Sequence, residues 1–370
     1  MSEKIKKASI YVKGDRESTD YYRMYQYFDQ IKHVEFTYHQ MIPCSLYKKY
    51  MPVSSQSIII KVLIYLISYW RMFTSLIADS LMVPDILVIH RRIISRFSPP
   101  SFFLLLLFIK KRGSKVIWDF DDNIVESREL SQRCFNFLSN ISDEIVVTHG
   151  YLKNLVAAKY RSKVQILPTT DGYMYKHFGE EITKRRNNSF KRSMVIVWLA
   201  TSSNLKYLED IVPSLDRAAY KLKCSDGRDL ILKVICDKPL ITDCRNLTVL
   251  NIQWKRDTAM SELLNSHVGI MPLRDDPFTK GKGGFKLIQY MSVGLPCIGS
   301  AVGFNTKVIS SNSGYLIPVG DMEGWENAVL SLSRIETWLT FSKCSYDNWK
   351  TNFSYESNLK FWELLLSKED

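Results

Sequence analysis

Two stretches of the chain gather charged side chains where a ligand or a reacting group could sit. The first is GKGGFKLIQYMSVGLPCIGSAVG at 281–303. It sets Lys282 and Lys286 around Gly283 and Gly284, just ahead of a short apolar helix that begins at Phe285. Glycine lets backbone come close to a ligand and adopts turn dihedrals cheaply. A helix start presents free N–H groups and the positive end of its dipole. Two lysines at that end add point charges, and the whole suits an anion such as a phosphate. It is not a P-loop, because G-x-x-x-x-G-K-[ST] is absent. On these residues alone, a tight turn ahead of a core helix is an equal reading.

The second stretch is VIWDFDDNI at 116–124, which places Asp119, Asp121 and Asp122 at a strand end. Adjacent carboxylates can hold Mg²⁺ or Mn²⁺ against a diphosphate. They can orient an acceptor hydroxyl or stabilise developing positive charge. They can also simply cap a helix. A phosphatase of the haloacid dehalogenase type is the alternative use of this stretch: Asp119 and Asp121 fit its D-x-D-x-[TV], but Asn123 stands at the Thr or Val position. The six histidines show no metal-ligand spacing. His149 follows a strand, where a structural role is expected. Trp254 fits a base-stacking or a core role equally.

The elements that must position these groups follow from periodicity. ASIYV (8–12), DILVIH (85–90), KVIWDF (115–120), EIVVT (144–148) and VQILP (164–168) are short continuous apolar runs, as expected of strands covered on both faces. Helical stretches alternate with them, which is the signature of a parallel α/β sheet. KHFGEEITKRRNNSFKRS (176–193) is polar and basic and predicts a linker. The alternation then restarts with MVIVWLA (194–200), LILKVIC (230–236), LTVLNIQW (247–254), VGIMPL (268–273), PCIGS (296–300) and YLIP (315–318). The predicted organisation is a first α/β domain over 1–175, a linker over 176–192 and a second α/β domain over 193–349. YESNLKFWELLL, within 350–370, is a final amphipathic helix that must dock on a part already formed.

Length and composition agree. A chain of 370 residues fits two domains. A net charge of +12 favours anionic partners. No helix-turn-helix, zinc finger or RNP pattern appears, so nucleic acid is not expected. Seven scattered cysteines without a C-x-x-C pair suit a reducing cytosol. No apolar stretch of signal-peptide type follows the first lysines. The greasiest run, IIIKVLIYLISYWRMF at 58–73, is broken by Lys61 and Arg71 and falls short of the roughly 20 apolar residues of a spanning helix. It and SFFLLLLFI (101–109) are expected as buried helices, with membrane-surface contact as the alternative.

The longer pattern is more specific. GFKLIQYMSVGLPCIGSAVGFN resembles the donor segment of the retaining glycosyltransferases of GT-B fold through Lys286, Tyr290, Met291, Gly294, Pro296, Ser300, Gly303 and Asn305. SNSGYLIPVGDMEGWENAVLSL continues that resemblance. VWLATSSNLKYLEDIVPSL is similar to the start of the same family's nucleotide-binding domain. VIWDFDDNI, VQILPTTDG and STDYYRMYQYF resemble its acceptor-side blocks in the right order. The resemblance implies two Rossmann-like doubly wound domains facing across a cleft, with the last helix crossing back to the first domain. It implies transfer from a nucleotide-diphosphate sugar to a glycan or lipid-linked acceptor, with retention, in cell-surface polysaccharide synthesis. The rival on this fold is a nucleotide-sugar epimerase.

Carried over residue by residue, the resemblance gives donor contacts at Thr201, Ser202, Lys206, Trp254, Lys282, Gly283, Gly284, Phe285, Lys286 and Gln289. It gives acceptor contacts at Tyr22 and Arg23, and candidate catalytic carboxylates lining the cleft at Asp119, Asp121 and Asp122. The family's Glu, seven residues, Glu pattern is replaced by Gly281 and Gln289, and Gln can still bond a ribose hydroxyl without charge. The family's Arg and Lys pair has Lys206 as its nearest base here, which shifts the diphosphate to Lys282 and Lys286. No metal or other cofactor is expected. The lysine-rich SEKIKKAS, YKKY, HRRIISR and IKKRGSK segments predict a cytoplasmic protein at the inner face of the cytoplasmic membrane, drawn to its anionic surface.

Overall fold

The computed structural model describes residues 5–14, 19–50, 56–94 and 98–367. The chain forms two compact units, one of 1–169 with 356–370 and one of 170–355.

The first unit is built on six parallel strands: β1 (Lys6–Val12), β2 (Val34–Gln40), β3 (Ile86–His90), β4 (Lys115–Phe120), β5 (Glu144–Val147) and β6 (Val164–Ile166). Their order is β2-β1-β3-β4-β5-β6. The order reverses between β1 and β3, so the loops after those strands diverge and leave a crevice at their carboxyl ends. Strands β3 and β4 are buried at every position, as their continuous apolar runs require. Strand β2 was not foreseen. It is an edge strand that buries mainly its first residue and otherwise alternates between exposed and half-buried positions, so its sequence VEFTYHQ lacks an apolar run.

The second unit has β7 (Ser193–Leu199), β8 (Asp229–Cys236), β9 (Thr248–Gln253), β10 (Val268–Met271), β11 (Cys297–Ser300) and β12 (Gly314–Ile317), all parallel, in the order β12-β11-β10-β7-β8-β9. Its reversal lies between β7 and β10, which brings the loops after those two strands together.

Three helices depart from expectation. Helix α1 (Ile58–Leu81) and helix α2 (Pro100–Lys111) were expected to be buried. Each instead packs one stripe on the first sheet, α1 through Ile64, Met72 and Leu76, and α2 through Phe102, Leu106 and Ile109. Their opposite stripes are apolar and open. The stretch expected as a linker forms helix α3 (Glu180–Phe190) within the second unit. Its mean composition is polar, but Phe190 and Arg186 are turned inside, Phe190 stacking on Trp338 at 4.7 Å. Arg186 donates to the carbonyls of Leu263, Leu264 and Val293 at 2.9, 2.9 and 2.5 Å. The long polar side chains on α3 hide a stripe that fastens it.

The final helix (Tyr355–Ser367) belongs almost wholly to the first unit. Trp362 is fully buried edge-on to Phe28 at 5.1 Å, and Asn358 donates to Tyr27 Oη and the Pro168 carbonyl. One buried indole is an effective tether for a terminal helix: a buried aromatic of this size contributes more than any single polar contact on the surface.

Candidate functional site

The carboxyl end of the second sheet carries the glycine–lysine loop. Helix α4 (Phe285–Ser292) starts there, with Gly284 as its N-cap at φ +62. A side chain at 284 would meet Val308 Cγ2 at 2.9 Å, so glycine is required by both dihedral and space. Gly303, at φ +52, lies against the Lys280 backbone, where an added Cβ would sit 2.8 Å from the carbonyl oxygen. That glycine therefore lets the two ends of the stretch touch. Tyr290 holds the helix to the sheet: its ring lies over Gly269, and its hydroxyl accepts from the Leu199 N–H at 2.9 Å. Ser300 Oγ accepts from the Leu273 N–H at 2.8 Å and fixes the start of the loop that leads to the lysines.

The two lysines are positioned by amide side chains. Lys286 Nζ donates to Gln289 Oε1 at 3.1 Å, and Gln289 Nε2 donates to Asp171 Oδ2 at 2.9 Å. Burial pushes the Lys286 ammonium down to about 8; Asp171 pulls upward and the Lys282 charge pushes further down. Lys282 Nζ donates to Asn204 Oδ1 at 3.0 Å and lies 4.7 Å over the Phe278 ring. Asn204 follows β7, so Lys282 links the two loops of the topological reversal. The side-chain hydrogen bonds of the two ammonium groups go to amide oxygens, which place both cations beside the start of α4.

The structure brings most of the expected donor residues together. Ser202 donates through both its N–H and its hydroxyl to Asp237 at 2.7 and 2.8 Å, and Thr201 Oγ1 accepts from Asn204 Nδ2 at 3.0 Å. Trp254 is half-buried against the core that contains Ile235 and Leu263. Lys206 is exposed, with its ammonium over the Tyr207 ring at 5.0 Å. Gln289 is 1% exposed, and both ends of its amide are engaged. It positions Lys286 in this structure rather than presenting a free amide to a ribose. Asp171 was missed. It also accepts from the backbone of Tyr173 and Met174, a turn-forming role that the sequence TTDG does signal.

The carboxyl end of the first sheet is a dense ionic network. Asp119 is fully buried, ion-paired with Arg23 and accepting from His90 Nδ1 at 2.7 Å. Arg23, 1% exposed, also donates to the Leu167 carbonyl at 2.6 Å. Arg23, expected at the acceptor, and Asp119, expected at the cleft, thus engage each other inside the unit. Arg91, after β3, donates to Asp121 at 2.6 Å, Asp122 at 2.7 Å and Glu129 at 3.0 Å. Burial alone would raise Asp121, but Arg91, then His90 and Arg23, hold it well below the usual carboxylate range. Burial would likewise raise Asp119, and Arg23 and His90 hold it low. Asp122 is the most open of the three, its side chain 35% exposed. Tyr22 is half-buried, its ring edge-on to Tyr21 at 5.3 Å. His149 is buried and stacks on Tyr151.

This network bears on the alternatives for DFDD. A nucleophilic Asp119 needs an approach path, and its ion pair closes it. Among the described residues no group of three His, Cys, Asp or Glu is placed to hold a metal ion. Sequence reading missed His90, Arg91 and Glu129, which are distant in sequence and meet only through the sheet order. The segment STDYYRMYQYF begins outside the described residues at Ser18, as do parts of SEKIKKAS and HRRIISR, and the side chains of Tyr47 and Lys48 in YKKY lie outside them too.

Comparison with known proteins adds to this geometry. Residues 200–334 match the family described as Glycosyl transferases group 1. None of the curated proteins matches the chain. Among solved structures, the Alr3699/HepE protein of Anabaena in complex with UDP superposes with a TM-score of 0.63 at 10% identity, covering 98% of this chain and 99% of that one. A glycosyltransferase from Rickettsia africae gives 0.62 at 13% identity, over 98% and 100%. Sucrose-phosphate synthase from Thermosynechococcus elongatus gives 0.59 at 13%, over 97% and 98%. These likenesses extend over both units and bear out the two-domain GT-B α/β fold.

Proposed function

We propose that the chain is a glycosyltransferase that moves a sugar from a nucleotide-diphosphate sugar, with retention, onto a glycan or lipid-linked acceptor in cell-surface polysaccharide synthesis; the match of residues 200–334 to the group 1 glycosyltransferases and the GT-B fold support this reading. The observation that carries the donor assignment is the pair Lys282 and Lys286 at the Gly284-capped start of α4. In such a transfer negative charge collects on the departing diphosphate. Preorganised cations and helix N–H groups answer that charge without reorganising. A metal is not needed for this role in the proposed reaction. The Anabaena relative is seen with UDP and with UDP-glucose, and a uridine donor is the first choice for this chain.

Asp121 and Asp122, tied to Arg91, supply the carboxylates on the acceptor side. Asp122, the more open, is the group proposed to meet an acceptor hydroxyl. Calorimetric titration with UDP, ADP and GDP tests the donor site. A radiolabelled UDP-sugar screen against lipid-linked and free glycans then tests transfer. Binding of none of the three nucleotides would overturn the assignment. Nucleotide release that ignores the acceptor would favour an epimerase.

A further inference from the structure

Helix α1 is amphipathic the wrong way round for a soluble surface helix. Its buried stripe includes two polar residues, Ser68 and Asp79. Its open stripe runs Ile59, Leu63, Leu66, Trp70, Ile77 and Leu81, with Ile59 76%, Trp70 61% and Leu81 74% exposed. The spacing of three and four residues keeps these side chains on one line. Helix α2 packs beside it and adds Leu104, 67% exposed, and Phe108. Scattered apolar residues on a surface need no explanation, but a continuous apolar band along two neighbouring helices does.

We propose that this band is a docking surface for an anionic lipid bilayer, on which α1 lies flat. Charge decides the occupant. Asp79 is the one acidic residue in the two helices, and it is turned inside, accepting from Ser9 Oγ at 2.9 Å and Tyr11 Oη at 2.7 Å. The exposed charges on the two helices and at the end of α2 are basic: Arg71, Lys111 and Arg112, the last stacked over Phe108 at 5.6 Å. A second copy of a chain of net charge +12 would bring two such basic rims together. An anionic surface meets the rim and the apolar band at once. Trp70 is a residue type that favours the headgroup level.

The helix is 24 residues long, enough by length to cross a bilayer. Its inner stripe argues for lying flat instead. Leaving the sheet would strip Ile64, Met72 and Leu76 from the core and leave the Asp79 carboxylate without the two hydroxyls of β1. This surface is independent of the donor site, so either assignment can fail without the other.

The test is co-sedimentation of the full chain with vesicles of phosphatidylcholine alone or with one-third phosphatidylglycerol, at low and high salt. The anionic vesicles are expected to retain most of the protein at low salt, and salt to release part of it. The double variant Leu66→Glu/Trp70→Glu is expected to weaken retention about tenfold or more, with melting temperature and UDP affinity unchanged. Should that variant misfold, the rim variant Lys111→Glu/Arg112→Glu carries the same expectation. Brominated lipid should quench tryptophan fluorescence in the wild type, and the Trp70→Phe variant should lose that quenching. Equal retention on neutral and anionic vesicles, or on neither, overturns the proposal. So does a wild-type dimer in light scattering that Leu66→Glu/Trp70→Glu converts to a monomer, since a second copy would then be the occupant. Resistance to carbonate extraction overturns the flat placement in favour of a spanning helix.

Discussion

The carboxyl ends of the two sheets solve opposite electrostatic problems. In the first unit, the carboxylates after β4 face guanidinium groups: Asp119 has Arg23, and Asp121 and Glu129 have Arg91. In the second, Lys282 and Lys286 have an asparagine, a glutamine and aromatic rings. The first end is neutralised from within as the chain folds. The second sets two lysines beside amides at the glycine-capped start of α4. One end is tied together by its own ion pairs with Asp122 left at its open edge, and the other is where the proposed donor would be held.

The largest effect that would upset this contrast is on folding of the first unit. Replacing Asp119 by Asn keeps the shape and removes the charge that Arg23 faces. Breaking a buried pair from one side costs about 3–5 kcal/mol, because the remaining charge is stranded. Urea unfolding of Asp119→Asn should show that loss. A change under about 1 kcal/mol would place the network in contact with water and reopen Asp119 as a substrate group.

The next effect is on binding. Lys286→Ala should weaken UDP binding by roughly 1.5–3 kcal/mol, the range for a hydrogen bond to a charged group, with folding little changed. Its pH dependence is a second readout. The folded pKa of about 8 lies below that of an ordinary lysine. Raising pH through about 8 removes the cation in the free protein, so nucleotide affinity should fall there and the variant should show no such step. For folding, the sign is the reverse. The depressed lysine disfavours the fold where it is charged, so this contribution improves as pH rises through about 8. The carboxylates of the first unit behave otherwise: held low in the fold, they stabilise it above the usual carboxylate range and lose that contribution in acid.

A third effect joins structure to binding. Gly303→Ala places a Cβ against the Lys280 carbonyl and asks alanine to hold a positive φ. The dihedral alone costs about 1–2 kcal/mol. Relief by movement would shift the loop that ends in Lys282, so nucleotide affinity should drop together with stability. A drop in stability alone would separate the VGFN turn from the donor loop.

The same difference between the two ends decided what could be seen in the sequence. The second unit's site is local: Lys282, Gly284, Lys286 and Gln289 lie within one turn and one helix, so motif spacing reveals them. The first unit's network joins residues 23, 90, 91, 119, 121 and 129, which meet only because β1, β3 and β4 are neighbours. Spacing showed the aspartates and was silent on their partners. The strands with continuous apolar runs were legible, and the edge strand β2 was not, since only its first residue is fully covered. Helix α3 was taken for a linker because its buried stripe is one Arg and one Phe among polar neighbours. The apolar runs of α1 and α2 were legible as helices, but their exposed side was not. Hydrophobicity tells that a residue prefers to leave water and does not tell which neighbour it will leave water for.

The smallest expected effect is none at all, from chelation. Among the described residues, the carboxylates that a divalent ion would meet in the DFDD stretch are Asp119, Asp121 and Asp122. Asp119 is enclosed with Arg23 and His90, and Arg91 binds both of the others. A cation entering there must displace an arginine that already holds two or three carboxylate oxygens, and it would meet the Arg91 charge at close range. At the donor loop the carboxylate that acts on Lys286, Asp171, already accepts from Gln289 and two backbone N–H groups. The diphosphate charge is left to Lys282, Lys286 and the start of α4. Sugar transfer measured after dialysis against EDTA should therefore match the untreated rate. Abolition by EDTA with recovery on Mg²⁺ or Mn²⁺ would mean that the nucleotide brings a metal into the first unit's network, and the contrast between a closed end and an open one would fail.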